Sequence, residues 1–133
     1  MDKIFIGQSA NISKTISESD VYSFAGIIGD FNGVHVNEII AQKSIFGKRV
    51  AHGMLVGSLI SAVLGTKLPG EGTIYLEQNL QFLKPVYFGD TVTATLTVSE
   101  ILNEEKGIYK LETVIVNQDG HMTHQGYAVV KYL

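Results

Sequence analysis

The segment from Gly53 to Gly65 restricts most strongly how this chain can fold. It carries no charged residue, and its large apolar side chains point to every face of a helix. Because it is shorter than the roughly 20 residues of a membrane span, it predicts a buried helix that the rest of the chain must enclose. Small residues recur along it at every fourth position, so one narrow stripe would admit another backbone or a ligand: Gly53, Gly57, Ser61 and Gly65.

The second half of the chain has the period of β-strands instead. Val92, Ala94, Leu96 and Val98 alternate with Thr and Ser, which indicates a strand with one buried face. The stretch 73–84 alternates in the same way. Two further strands are predicted over 107–117 and 122–133, and the Asp-Gly pair at 119–120 between them is a strong hairpin signal.

These two features together predict the fold. A strand as long as 73–84 spans about 40 Å, which is too long for a flat sheet in so small a domain. We therefore expect an α+β fold in which a strongly coiled antiparallel β-sheet wraps around the long central apolar helix. A further strand is expected within 4–16, and an extra helical segment, starting near Glu18 and ended by Gly29, precedes the central helix. This is a hot-dog layout.

Composition limits the partners and the location. The net charge is −3 and no basic run occurs, so we expect neither a nucleic acid nor a membrane as partner. The absence of cysteine excludes disulfides and thiolate chemistry. The length of 133 residues predicts one domain, 1–133. Only three consecutive apolar residues, Ile4 to Ile6, occur near the start, which favours a cytoplasmic protein.

The densest cluster of reactive groups lies between Asp30 and His35. A carboxylate, the amide of Asn32 and an imidazole fall within six residues that have the composition of a loop. A carboxylate that accepts a proton from water, beside an imidazole that donates one, suits the addition or removal of water at neutral pH. The alternative is a capped turn in which these side chains bond only their own backbone. Spacing alone leaves both interpretations open.

A second candidate feature is the start of the apolar helix. Gly53 follows His52, and a helix N-terminus presents N–H groups without partners, so an acyl oxygen could approach Gly53 without meeting a Cβ atom. This would be an oxyanion hole. The alternative is an ordinary helix start with His52 as a packed or solvated side chain.

The sequence resembles the MaoC-like (R)-specific enoyl-CoA hydratases. The resemblance runs in order through nearly the whole chain: the stretch 24–35, whose end is similar to the family signature Gly-Asp-x-Asn-Pro-x-His, then His-Gly-Met-Leu at 52–55, Gly-Thr-Ile-Tyr-Leu at 72–76, Phe-Leu-Lys-Pro-Val at 82–86 and Phe-Gly-Asp-Thr-Val at 88–92. It implies reversible syn hydration of a trans-2-enoyl-CoA to an (R)-3-hydroxyacyl-CoA, in an enzyme of the hydro-lyase class.

The resemblance also implies a role for each candidate residue. Asp30 would act as the base toward water, His35 would supply or relay the proton to C2, and Asn32 would support the loop and the water. The backbone N–H of Gly53 would bind the thioester oxygen, and Ser61 would line the acyl pocket. We expect no cofactor and no metal, with coenzyme A carried by the substrate. A homodimer is expected, because an open sheet edge favours pairing and the family agrees.

Two departures and two rival functions accompany this interpretation. Gly33 stands where the family usually has proline, and Ile28 where it usually has a small residue, and both alter the loop. One rival is a hot-dog acyl-CoA thioesterase, but its carboxylate usually lies on the central helix, where this chain has none. The other is a non-catalytic module that binds acyl-CoA or an acyl carrier. The pair His121 and His124 is not expected to bind a metal, because residues three apart on a strand point to opposite faces.

Overall fold

A computed structural model describes residues 3–133. Within them, five antiparallel strands form one sheet in the order β1-β3-β4-β5-β2. The strands are β1 (Ser9–Thr15), β2 (Ile74–Phe82), β3 (Thr91–Asn103), β4 (Ile108–Val116) and β5 (Met122–Lys131). The helices all lie between β1 and β2 in the chain: α1 (Glu18–Ile28), α2 (Gly33–Val36), α3 (Glu38–Gln42), α4 (Gly53–Gly57) and α5 (Leu59–Thr66). None of these helices is long and apolar enough to cross a membrane.

The predicted central helix is present as two consecutive helices, α4 and α5. Ser58 separates them while keeping a helical backbone conformation, with φ −65° and ψ −16°. Its hydroxyl donates a hydrogen bond of 2.5 Å to the carbonyl of Leu55. Such a bond from a serine to the preceding turn competes with the helical pattern. The segment is therefore helical as predicted, with an interruption at one residue.

One face of α5 forms the core together with β3. Ile60, Val63 and Leu64 are buried against the alternating residues of β3, of which Leu96 is fully buried. Each such side chain contributes on the order of 1.5–3 kcal/mol. The opposite face is open in this chain, because Met54 is 61% exposed and Ser61 is exposed too. The expectation that the chain encloses this helix on every side is therefore wrong: the sheet covers only one side of it.

Two positions of the stripe of small residues are covered by side chains of β2. A Cβ atom at Gly53 would lie 2.6 Å from the ring of Phe82, and one at Gly57 would lie 2.7 Å from a methyl of Leu80. Close approach at these two positions is thus confirmed, but the approaching groups are side chains of the same chain. Space beside Gly65 is open.

The alternating pattern is borne out in β3 but not in β2. In β3 the four predicted inward residues are all buried. In β2, by contrast, Ile74 and Leu76 are about half exposed at 54% and 50%. The reason is position: β2 forms the edge of the sheet, and a register shift between Tyr75 and Glu77 breaks its alternation. The prediction of one buried face on this strand is wrong within a single chain.

Candidate active site

The loop that carries Asp30 is shaped by two caps. Helix α1 has Ser17 as its N-cap, starts at Glu18 as predicted, and ends at Gly29, whose φ of +80° suits glycine. The Asp30 Oδ1 atom then accepts the N–H of Asn32 at 3.1 Å, and the Asn32 Oδ1 atom accepts the N–H of Val34 at 3.2 Å. Asn32 is therefore the N-cap of α2. The prediction of a loop throughout 30–35 is wrong from Gly33 onward, because this cap starts a one-turn helix that carries His35.

Asp30 and His35 meet as the sequence predicts. The Nε2 atom of His35 lies 4.0 Å from Oδ2 of Asp30. On the far side of the ring, Nδ1 donates a 2.7 Å hydrogen bond to the carbonyl of Val50, which fixes the orientation of the imidazole. A water bonded to both groups, with legs of about 2.8 Å at roughly a right angle, would span a gap of this size. The pair is therefore spaced to share one water.

His52 is a component of the site that sequence reasoning left as a packed or solvated residue. Its ring stacks on that of His35, with centroids 3.8 Å apart and planes 24° apart. Its Nε2 atom donates a 3.0 Å hydrogen bond to the backbone carbonyl of Asp30, while its Nδ1 atom is buried without a partner in the described chain. His52 directly precedes α4, and its hydrogen bond thus links the start of this helix to the loop that carries Asp30. The signal in the sequence that could have placed His52 at the site is its position directly before Gly53.

The same three side chains form a potential metal cluster. One ligand atom each from Asp30, His35 and His52 lie within 4.8 Å of one another. Imidazole nitrogens bind a metal along lone pairs in the ring plane, and the two stacked rings direct these along nearly parallel planes. One nitrogen of each ring is also bonded to a backbone carbonyl. The geometry suits a water held by Asp30 and His35 better than a metal ion.

Gly53 lies beside this pair at the start of α4. As the first residue of the helix, it has an N–H without an intrahelical partner. It lines a cavity of about 450 Å³ together with Asn32, His35, Phe82 and Val86. Asp30 does not line this cavity, but its Oδ2 atom lies 4.0 Å from Nε2 of His35, which does. The imidazole of His35 and Gly53 thus line one space, and the carboxylate of Asp30 lies next to that imidazole.

Ser61 is not brought into that space. It lies on the exposed face of α5 and lines a separate cavity of about 340 Å³ with Met54, Gly57 and Tyr75. Its place in an acyl pocket therefore stays a prediction.

Ile28 and Gly33 differ in what they do to the loop. Ile28 is 50% exposed at the end of α1, so its size is accommodated by solvent. Gly33 is the first residue of α2, a position that favours proline. Here, however, a Cβ atom at Gly33 would lie 2.7 Å from Cδ1 of Ile40. Ile40 therefore packs where the ring of a proline at position 33 would begin.

We expect Gly33→Pro to stabilise the protein only when Ile40 is shortened. Alone, the substitution should lower the free energy of unfolding by about 1 kcal/mol, since overpacking outweighs the entropic gain of proline. In an Ile40→Ala background, Gly33→Pro should instead raise the free energy of unfolding by roughly 0.4–1 kcal/mol. Urea unfolding of the four variants of the double-mutant cycle measures this coupling. Additive effects would contradict the packing conflict.

His124 on β5 is a buried histidine outside the predicted site. It is 1% exposed, and its Nε2 atom donates a 3.0 Å hydrogen bond to the carbonyl of Gly53. Burial lowers its pKa below the ordinary value of 6.5. His121 is exposed instead, so the two histidines do not share a site, as expected.

Acidification should therefore weaken the fold through His124. The unfolded chain takes up this proton below about pH 6.5, whereas the folded chain does so only at lower pH, so stability present above pH 6.5 is lost as the pH falls. The loss is at most about 1.4 kcal/mol per pH unit. Chemical unfolding between about pH 7.5 and pH 5 should show a shallower decline in His124→Gln than in the wild type. The exposed control His121→Gln should follow the wild type, and equal slopes in all three proteins would contradict the buried neutral ring.

The fold and the site together define the class of protein to which this chain belongs. A coiled antiparallel sheet packed on α5, with a carboxylate–imidazole pair beside the N-terminus of α4, is a hot-dog domain with an acid–base site. The chain belongs to the MaoC-like family: the family model described as "MaoC like domain" matches residues 6–119. The resemblance identified from the motifs is thus confirmed.

Two hydratase sequences and two solved hydratase structures match this chain along almost its full length. The chain is 52% identical over 124 residues to an (R)-specific enoyl-CoA hydratase of Rhodospirillum rubrum, covering 93% of this chain and 85% of that one. It is 44% identical to the (R)-specific enoyl-CoA hydratase of Aeromonas caviae, covering 95% and 93%. The solved structure of an (R)-hydratase from A. caviae involved in PHA biosynthesis superposes with a TM-score of 0.94 at 41% identity, covering 100% of both chains. An unliganded R-hydratase from Pseudomonas aeruginosa gives 0.90 at 42% identity, covering 96% and 81%.

Proposed function

We propose that this chain is an (R)-specific enoyl-CoA hydratase that adds water reversibly, in the syn sense, to a trans-2-enoyl-CoA. The observation that carries the proposal is the 4.0 Å gap between Asp30 and His35 beside a cavity that also exposes Gly53. Whole-chain similarity to two hydratases of this specificity supports it. The catalytic unit is proposed to be the single domain 1–133.

The proton path follows from the hydrogen bond to Val50. A carbonyl can only accept, so Nδ1 of His35 carries a proton, and Nε2 carries a second one only in the imidazolium form. In that form His35 is the acid and the carboxylate of Asp30 is the base. Asp30 takes one proton from water, the oxygen of that water bonds to C3, and Nε2 of His35 gives its proton to C2. Transfer from Asp30 to Nε2 across the gap then restores the starting state.

Gly53 is proposed to hold the charge that gathers on the thioester oxygen. Its N–H lies at the start of α4, on the wall of the same cavity as His35. Since α4 has only five residues, the local N–H group rather than a long helix dipole provides the stabilisation. One such donor is worth about 10²–10³ in rate in measured cases.

Two residues support the reacting groups in this proposal. Asn32 caps α2 and accepts the N–H of Val34, so it sets where His35 is presented. Ser61 is assigned to the wall of the acyl pocket. The coenzyme A moiety belongs to the substrate, and no bound cofactor is required. The cytoplasmic location stays a prediction.

A homodimer is also part of the proposal, with the substrate tunnel at its interface. The edge strand β2 exposes Ile74 and Leu76, and Met54 is exposed on the helix beside it. An uncovered edge strand with apolar side chains is a surface that pairing would bury.

The dimer has a direct test by sedimentation. The wild type should have twice the mass of one chain, and Leu76→Lys should shift it toward the monomer, because a charge would be buried at the paired edge. Ile45→Lys, at a side chain that is 96% exposed, is the matched control and should leave the mass unchanged. A monomeric wild type at micromolar concentration would contradict the dimer.

Two substrates separate hydration from the rival functions. Purified protein is incubated with crotonyl-CoA while the enoyl absorbance is followed, and with butyryl-CoA while free thiol is followed. Loss of enoyl absorbance without thiol release, together with an (R)-3-hydroxy product, supports the hydratase. Thiol release from butyryl-CoA would indicate a thioesterase, and binding of both without turnover would indicate a non-catalytic module.

A further inference from the structure

His124 contacts Gly53, the residue whose N–H is the proposed oxyanion donor. Its Nε2 atom reaches the Gly53 carbonyl at 3.0 Å, and its ring lines the cavity that Gly53 and His35 share. The ring also meets Phe82 edge to face, with centroids 5.2 Å apart. Phe82 is the side chain that covers the open side of Gly53.

The hydrogen bonds around the ring establish its proton position. The Gly53 carbonyl can only accept, so Nε2 carries the proton. Nδ1 of the neutral ring then accepts from the Thr123 hydroxyl at 2.8 Å, in preference to the longer 3.2 Å contact of that hydroxyl with the Ile115 carbonyl. Thr123 is fully buried as well, and this chain of bonds links β5 to the start of α4.

We propose that His124 is a positioning residue that holds the first peptide of α4 in the orientation required for oxyanion binding. The proposal rests on the hydratase function proposed above. Glycine has the widest backbone freedom of any residue, so Gly53 needs restraint from outside to keep its two flanking peptides in place. His124 restrains the peptide after Gly53, while the carbonyl before it, that of His52, accepts from Leu55 and Val56.

A second effect acts on the following amide. The carbonyl of Gly53 and the N–H of Met54 belong to one peptide group, so a hydrogen bond donated to the carbonyl strengthens the N–H as a donor. The bond from His124 therefore acts on the N–H of Met54 directly, through the shared peptide group, and on Gly53 by fixing the carbonyl side of that residue.

Three variants test this role by separating the donor from the ring. His124→Gln keeps an N–H donor without the ring, and His124→Leu removes both at similar volume. Thr123→Val keeps the ring but removes the hydroxyl that orients it. Thr113→Val on β4 is the matched control, since it also removes a fully buried hydroxyl but lies outside the site cavity. Crotonyl-CoA hydration is measured for each, with kcat and KM resolved and folding checked by thermal unfolding.

The expected result is a loss confined to kcat. His124→Leu should lower kcat about 10-fold or more with KM within about threefold, because the donor acts on charge that develops only in the transition state. His124→Gln should recover most of this loss, Thr123→Val should fall between, and Thr113→Val should keep wild-type kcat. A folded His124→Leu with wild-type kcat, or His124→Gln as impaired as His124→Leu, would overturn the proposal. If His124→Leu does not fold, wild-type kcat in Thr123→Val overturns it instead.

A second readout, of the hydrogen bond itself, does not depend on activity. If the wild type hydrates no enoyl thioester, the proposed function fails, but this readout still tests the role of His124. The carbonyl-carbon NMR shift of Gly53 is compared between His124→Gln and His124→Leu, or Thr123→Val where the latter does not fold. Gln and Leu both lack the ring, so a downfield shift in His124→Gln reports the donated hydrogen bond. Identical shifts would overturn the positioning role independently of activity.

Discussion

Asp30→Asn is expected to lower kcat for enoyl-CoA hydration by about 10² or more while the protein stays folded. The amide is not a base at neutral pH, so residue 30 can no longer take a proton from the attacking water. The fold should persist, because an amide oxygen can still accept the N–H of Asn32, the bond that shapes the loop. Initial rates with crotonyl-CoA and a thermal unfolding curve measure the two effects.

Asp119→Asn is the matched control for this change. It removes the same charge from an exposed residue in the hairpin turn between β4 and β5, and it should keep wild-type rates. Near-normal turnover in Asp30→Asn would defeat the assignment of the base. Equal losses in both variants would instead indicate an effect of net charge.

His35→Asn should cause a loss of similar size, about 10² or more in kcat. Asparagine can place its amide N–H near the position of Nδ1, so the bond to the Val50 carbonyl can be kept while the Nε2 proton is lost. His35→Ala should lose the same activity and in addition about 1–3 kcal/mol of stability, because the Val50 carbonyl would be left without its donor. Turnover and urea unfolding distinguish the two contributions.

The exposed His121→Ala serves as the control for these variants. Near-normal turnover in His35→Asn would show that the acid is another group.

Patterns within one element were predicted well. The start of α1 at Glu18, its end at Gly29 and the alternation of β3 depend on residues a few positions apart. The family resemblance assigned Asp30 and His35 to one water, and the structure places Nε2 of His35 4.0 Å from Oδ2 of Asp30. The motif resemblance then extended this to Gly53, which lines the cavity next to His35.

Properties that depend on distant segments were missed. His52 stacks on His35 across 17 positions of chain, and His124 reaches Gly53 from another strand, 71 residues away. The exposure of β2 follows from its place at the sheet edge, which its own alternating pattern does not encode. Ser61 was assigned to the acyl pocket by the family resemblance, and within this single chain it lines a cavity separate from that of His35, so its role stays a prediction.

The sequence by itself determined the local architecture: an apolar helical segment without charge, strands of period two, capped helix ends and a short run that carries a carboxylate and an imidazole. Only the tertiary structure decided which side of that segment is covered, which histidines surround the reacting pair and what restrains Gly53. The physical reason is range. Caps and periodicity arise from interactions between residues a few positions apart, whereas stacking, burial and the bond from His124 depend on which strand packs against which helix.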